Sequence, residues 1–216
     1  MHQQITFPLS SNDAYNLDEY IESSSNRLAA DSINNWRSNW GVNPYPKTLI
    51  IEGAKSSGKT FLAKRWEMLS GALFLKNTYE LTESILNHHK GFVIDGLNEA
   101  WDEEKLLHHF NTLNENQKYL LITVNGMPKI RLPDLSSRIN ASRKINLGII
   151  DDNLMKILIF KIFSNNSVKV GDEVINYLIK TLPREFYRII NSVNKVNCFA
   201  ITHKRKITLP LIKEVL

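Results

Sequence analysis

The sequence predicts an α/β fold: a parallel five-stranded sheet with interleaved helices, followed by a small all-helical lid. Three observations carry this expectation. Short apolar runs alternate with amphipathic segments between residues 48 and 147, the pattern of a parallel sheet built from βαβ units. Residues 53–60 read GAKSSGKT and fit G-x-x-x-x-G-K-[ST] at every fixed position, between a strand-like and a helix-like run. From Asp151 onward, helical segments succeed one another with only short breaks.

Taken in order, residues 1–12 read as an extended, weakly structured tail. A helix follows at about 24–40, where Asn26, Ala29, Ala30, Ile33 and Trp36 have helical spacing. Asn43-Pro44-Tyr45-Pro46 is a turn. Thr48–Ile51 is the first strand, and 61–69 is a helix with apolar positions 61, 62, 66 and 69. Gly71–Leu75 is a second strand, Glu80–His89 a helix, and Gly91–Asp95 a third strand. A helix over 102–115 precedes the fourth strand, Tyr119–Val124, which Asn125-Gly126-Met127-Pro128 breaks. A polar, proline-bearing stretch then leads to a fifth strand at Ile145-Asn146-Leu147. Helices are expected at 151–164, 171–181, 183–197 and Leu209–Leu216. The organisation is a tail (1–12), an α/β core (13–149) and a helical lid (150–216).

Composition narrows the function classes. Apolar residues make up 43% and charged residues 23% of 216 residues, as in a globular protein. No window approaches 18 consecutive apolar residues, so no membrane helix is expected. The N-terminus lacks a basic segment followed by an apolar run, so no secretory signal is read. The lone cysteine, Cys198, excludes an internal disulfide; it fits a reducing cytoplasm and reads as a small core residue. His88-His89 and His108-His109 are adjacent on helices and point in different directions, a poor chelate. Charge is uneven: residues 1–126 carry 11 Lys/Arg and 15 Asp/Glu, and residues 127–216 carry 16 and 7, net −4 and +9. A basic half suits phosphate, nucleic acid or an acidic protein, and equally an ordinary solvated surface.

The GAKSSGKT segment carries the chemistry. Backbone N–H groups of a strand–turn–helix junction, with the positive end of the helix dipole, face phosphate. Gly53 and Gly58 permit backbone angles closed to other residues. Ser56 and Ser57 lie in the turn, Lys59 reaches the β/γ-phosphates, Thr60 can bind Mg²⁺, and Phe61 follows in the helix. Asp95 ends the third strand 36 positions after Lys59 and suits a Walker B acid that orients Mg²⁺. The next residue is Gly96, where many such ATPases carry a second acid, and Glu99 stands four positions beyond Asp95. The motif therefore argues for nucleotide binding more than for rapid hydrolysis. Thr123 and Asn125, at the tip of the fourth strand, can touch a γ-phosphate or position water, although Asn125 serves equally as a turn residue. From the residues alone, Arg138 reads as a surface arginine after a short helix, and Arg184 as a solvated or ion-paired one.

In this order the elements resemble the DnaA-related AAA+ family, and its Hda-type members most closely, over nearly the whole chain. Tyr15–Ile21 followed by Ser25–Ala29 is similar to the segment bordering adenine, which implies contacts from Tyr20 and Ile21. The resemblance makes Asn125 the first sensor. Leu132–Ile139 is similar to the box holding the arginine finger, which gives that role in trans to Arg138. Leu182–Phe186 resembles the second sensor, with Arg184 facing the nucleotide, and Ile201–Leu216 resembles the end of the lid. Gln4-Ile5-Thr6-Phe7-Pro8-Leu9 resembles the peptide by which such proteins dock on the sliding clamp. There Gln4 offers hydrogen bonds, and Ile5, Phe7 and Leu9, with Pro8, offer apolar anchors. On its own the same tail also suits packing against its own domain.

The resemblance implies ADP or ATP with Mg²⁺ as cofactors. It implies the DnaA initiator and the DNA polymerase III sliding clamp as partners, a cytoplasmic location and no membrane. The expected function is stimulation of ATP hydrolysis by the initiator, with weak or no intrinsic ATPase; a homodimer is compatible with it. Departures are Gly96, a short interval between the two nucleotide motifs, and Glu22-Ser23 where a glycine-bearing adenine loop is usual. The sequence ends at Leu216 without the family's helix-turn-helix domain, so no sequence-specific duplex binding is expected. A helicase-loader-type AAA+ protein and a small P-loop kinase are the competing readings.

Overall fold

The computed structural model describes residues 21–77 and 80–216. The tail motif Gln4–Leu9 and Tyr20 lie outside the described residues. Five strands, β1 (Thr48–Gly53), β2 (Leu73–Phe74), β3 (Gly91–Leu97), β4 (Tyr119–Val124) and β5 (Arg143–Leu147), form one sheet. Their order is β2-β3-β4-β1-β5, and every pairing is parallel. The expected α/β fold with a parallel five-stranded sheet is therefore present. Among the described residues no helix is long and apolar enough to cross a membrane.

The central strands read as continuous apolar runs because both faces are covered. Alternation divides them. Leu49, Ile51, Val93 and Leu121 face one layer, with Ala29, Ile33, Leu62 and Trp66. Ile50, Phe92, Ile94, Leu120 and Ile122 face the other, with Leu106, Phe110 and Leu135. The first layer is built by α1 (Arg27–Asn34) and α2 (Lys59–Ser70), the second by α3 (Glu83–His88), α4 (Glu103–Glu115) and α5 (Pro133–Ala141). A third apolar cluster belongs to the lid helices α6 (Asp152–Asn165), α7 (Asp172–Thr181), α8 (Phe186–Thr202) and α9 (Leu209–Val215). It includes Leu154, Ile159, Phe163, Leu178, Val193 and Leu211.

Local chemistry sets the helix ends. Asp102 accepts the Glu104 and Lys105 N–H groups at 3.0 and 3.1 Å, and Asp151 accepts the Leu154 N–H at 2.7 Å, both N-caps. The Glu103 carboxylate accepts the N–H groups of Arg131 and Leu132, seating the start of α5, where Pro133 takes a first-turn position.

Several boundaries differ from expectation. The helix expected at 24–40 is α-helical only over Arg27–Asn34. Beyond it, the Asn35 and Asn39 amides donate to Asp31 at 2.8 and 2.9 Å, side-chain bonds that compete with the helix, while Trp36 and Trp40 stay buried. Gly71 is the left-handed C-cap of α2, which shortens the expected second strand. Thr82 caps α3, which begins at Glu83, three residues inside its expected start. α8 begins at Phe186 rather than 183, since Leu182 before Pro183 is extended. It continues to Thr202 because Val196, Asn197 and Ala200 prolong its buried face. The polar stretch before β5 holds α5, whose short buried stripe is Leu135 and Ile139. Cys198, expected in the core, is exposed: it lies one helical step beyond Asn197, off the buried face of α8.

Trp66, on α2, is the centre of an aromatic group. It stacks on Trp40 at 4.7 Å and meets Trp36 edge-on at 6.1 Å. β3 begins at Gly91, where a Cβ would come within 2.5 Å of the Trp66 ring. Gly91→Ala must displace a fully buried indole. The expected cost is about 1–3 kcal/mol, the range for overpacking, read as a lower urea midpoint with unchanged slope. An unchanged midpoint would show that the ring yields freely.

Candidate functional site

The C-terminal edge of the sheet gathers the ends of β1, β3 and β4. β1 runs into the loop 53–58, and α2 begins at Lys59. Ser56 has φ +61° and Gly58 φ +101°, the left-handed angles that wrap such a loop around an anion. A Cβ on Gly53 would meet the Leu147 carbonyl at 2.8 Å and Ser57 Oγ at 2.9 Å, so the loop leaves β1 pressed against β5. Ser57 and Lys59 are buried, and Phe61 lies in the first turn of α2.

The Lys59 ammonium donates to the carbonyls of Gly53 and Ala54 at 2.8 and 2.6 Å and reaches Ser57 Oγ at 3.4 Å. Burial pushes its pKa below the ordinary lysine value, while the nearby Asp95 carboxylate pulls it back up. It is a desolvated cation held inside the loop.

Asp95 is the second pole. One carboxylate oxygen accepts the Thr60 hydroxyl at 2.9 Å. The other accepts the Thr123 hydroxyl at 2.6 Å, and Thr123 Oγ1 itself accepts the Gly96 N–H at 2.8 Å. Thr123 is completely buried, so its hydroxyl needs these partners. Between Ile94 and Leu97 the β3–β4 register shifts, and Gly96 sits at φ +75°. Thr60 and Asp95, a hydroxyl beside a carboxylate, are the hard oxygen donors that suit Mg²⁺. With the loop N–H groups and Lys59, the residues present fit a magnesium nucleotide.

The remaining expected residues are placed less centrally. Asn125 is exposed just after β4, whereas the buried polar residue at that tip is Thr123. Arg138 lies on α5, its Nε donating to Asn111 Oδ1 at 2.7 Å and its Nη1 to the Asp134 carbonyl at 2.9 Å. Arg184, between α7 and α8, donates to the Ile150 carbonyl at 2.8 Å and pairs with Asp152. Both partners belong to the segment that opens the lid, and the pair is well exposed, so it contributes little stability. Ile21 packs against the lid cluster, and its carbonyl accepts the Asn26 amide at 2.9 Å. Segment 23–26 lies against the core–lid junction: Gly148 N–H donates to the Ser25 carbonyl at 2.9 Å, and Ser24 Oγ to Asp151 at 3.1 Å. The structure also brings Phe186 to the loop, its N–H donating to the Ser56 carbonyl at 3.2 Å. Sequence reasoning did not single it out, because the contact spans 130 positions and has no local pattern.

Residues 151–216 match the family model described as "Hda, lid domain". Domain III of the replication initiation protein DnaA from Thermotoga maritima superposes with a TM-score of 0.77, at 16% identity, over 97% of each chain. AMPPCP-bound DnaA from Aquifex aeolicus gives 0.71 at 17% identity, covering 85% of this chain and 65% of that one. The Holliday junction branch migration motor RuvB of Thermotoga maritima gives 0.65 at 15% identity, over 93% and 70%. At these identities the neighbours establish the fold alone: an α/β core with a parallel sheet followed by a helical lid. The chain therefore shares the fold of the DnaA domain, and its residues 151–216 match the lid family of Hda.

Proposed function

We propose that the chain regulates replication initiation by binding ADP or ATP with Mg²⁺ and stimulating ATP hydrolysis on a DnaA-type initiator at the sliding clamp. The observation that carries this reading is an unbroken phosphate loop, joined to Asp95, beneath a lid of the Hda type. An AAA+ neighbour, the Aquifex DnaA, is AMPPCP-bound, which supports an adenine nucleotide here.

In this reading the N–H groups of residues 56–60 and the Lys59 ammonium hold the phosphates, and Thr60 and Asp95 hold Mg²⁺, which would neutralise phosphate charge when bound. Lys59 exchanges its bonds to the Gly53 and Ala54 carbonyls for phosphate oxygens. That exchange answers its desolvation, since a phosphate is a far stronger partner for a buried cation than a neutral carbonyl. Ile21, beside the lid cluster, and Tyr20 border the base, Asn125 stands as first sensor, and Arg184 joins the nucleotide to the lid.

Hydrolysis in this chain's own site is expected to be slow. The position after Asp95 is a glycine in a left-handed bulge whose N–H is bonded to Thr123, and Glu99 lies exposed further on. Arg138 supplies the activity in trans. Two of its nitrogens are braced by Asn111 and Asp134, which pre-orients the guanidinium and leaves Nη2 outside both bonds. Such a cation stabilises charge that develops on a partner's γ-phosphate. The tail residues Gln4, Ile5, Phe7, Pro8 and Leu9 serve as the clamp-docking peptide.

Two measurements test the reading. Lys59→Ala should abolish tight ADP and ATP binding in calorimetry, because it removes the cation nearest the β/γ-phosphates; unchanged affinity would remove nucleotide binding from this loop. Single-turnover hydrolysis of initiator-bound ATP on DNA-loaded clamp should be accelerated by the wild-type protein. Arg138→Ala should lose roughly 10³-fold or more of that acceleration, in line with arginine fingers elsewhere, with its own nucleotide affinity intact. Arg138→Lys should not rescue it, lacking the planar fork. Full stimulation by the Ala variant would leave the protein as a tether rather than an activator.

A further inference from the structure

We propose that Phe186 is the positioning residue through which the lid holds the phosphate loop in its binding conformation, so that nucleotide affinity depends on lid docking. The inference rests on the reading of residues 53–60 as a nucleotide site and extends it to a residue outside the motif.

The contact has three parts. The Phe186 N–H donates to the Ser56 carbonyl at 3.2 Å. Its ring lies against Gly58, where an added Cβ would come within 3.1 Å of Cε2 and 3.4 Å of Cδ2. Phe186 also packs against the apolar cluster of the lid. One side chain therefore touches both the lid core and the turn of the loop.

The physical need for it exists on both sides. On the lid side, α8 starts without a side-chain cap, since Glu185 makes no capping hydrogen bond. The first N–H groups of a helix have no partner within it, and Phe186 meets that need with the Ser56 carbonyl. On the loop side, Ser56 is a non-glycine residue at φ +61°. Such a conformation costs roughly 1–2 kcal/mol and persists where surroundings hold it. The loop's N–H groups converge on an anion only while Ser56 and Gly58 keep their left-handed angles. A hydrogen bond at one of these residues and an apolar wall at the other favour those angles. Arg184, by contrast, is bonded to Ile150 and Asp152, so the lid's tie to the loop runs through Phe186. Binding and docking are then linked, and linkage is reciprocal: whatever factor docking adds to affinity, nucleotide adds to docking.

The test uses the full chain with Phe186→Ala and Phe186→Leu. Calorimetry with ADP should show about tenfold or more weaker binding for the Ala variant, within the usual range of coupling between sites. Leu, which restores an apolar wall, should recover at least half of that loss on a logarithmic scale. Hydrogen exchange on nucleotide-free protein should show lost protection for the amides of Ser57 and Leu62, which donate to the loop carbonyls of Ala54 and Gly58, with the amides of residues 193–200 in α8 still protected. ADP affinity within twofold of wild type for the Ala variant would overturn the proposal. So would loss of protection throughout α8, which would make Phe186 a packing residue of the lid only. Should wild-type protein bind neither ADP nor ATP, the nucleotide reading fails by itself, and the exchange pattern still decides whether Phe186 holds the loop.

Discussion

The site depends first on the Asp95 carboxylate and the two hydroxyls that hold it. Thr60 approaches from the first turn of α2, and Thr123 from the end of β4. Asp95 therefore fixes the start of the phosphate-loop helix against two neighbouring strands. The arrangement is not easily loosened piece by piece. Thr123 is fully buried, and a buried hydroxyl or N–H left without a partner costs about 1–3 kcal/mol. Its oxygen is also the acceptor for the Gly96 N–H, so the bulge in β3 and the placement of Asp95 stand together. Around this floor, apolar layers on both faces of the sheet supply the rigidity, and Trp66 pins α2 to β3 at Gly91.

The lid is attached differently. Its helices share a core of their own. Among the contacts that join that core to the α/β layer, besides the chain itself, are Ser24 with Asp151, Ile21 against the lid cluster, and Phe186 with Ser56 and Gly58. Junctions of this kind permit relative motion of their two sides. In the proposed reading, a floor and a lid with separate cores suit a protein whose bound nucleotide sets its shape more than its own turnover does. The Arg184–Asp152 pair lies within the lid side of this junction, and its solvent exposure makes it inexpensive to exchange for another anion.

What the sequence made legible follows from range. The phosphate loop is a contiguous pattern, and the strands flanking it are buried on both faces, so GAKSSGKT and the runs around Ile50, Ile94 and Ile122 announced themselves. Capping residues such as Asp102 and Asp151 work within three positions and mark true helix starts. Illegible features depend on partners far away in the chain. Phe186 meets Ser56 across 130 positions, and Arg143 reaches Asn39 across 104. Nothing near Gly91 reveals that a tryptophan ring occupies the space of its missing side chain. α5 was hidden because its buried stripe is only Leu135 and Ile139, too short for a periodicity to emerge from polar neighbours. Cys198 was misplaced by a residue-type preference that one helical step overruled. At the tip of β4 the sequence offers Thr123 and Asn125 alike, and the structure separates them: Thr123 is buried and hydrogen-bonded to Asp95 and Gly96, and Asn125 is exposed.

Gly96 has a consequence beyond the absence of an acid. A glutamate or aspartate side chain would find open space there, since nothing lies within 4 Å of an added Cβ. The obstacle is the backbone, at φ +75°, where a non-glycine residue costs roughly 1–2 kcal/mol. Straightening it would withdraw the Gly96 N–H from Thr123, and Thr123 is one of the two hydroxyls that hold Asp95. The local geometry that positions the Asp95 carboxylate is thus the geometry that disfavours a second acid beside it. In the proposed reading this separates binding from hydrolysis at the level of the main chain rather than of one side chain. Arg138, braced on α5 by Asn111 and Asp134, is then the group left to act on a partner's nucleotide.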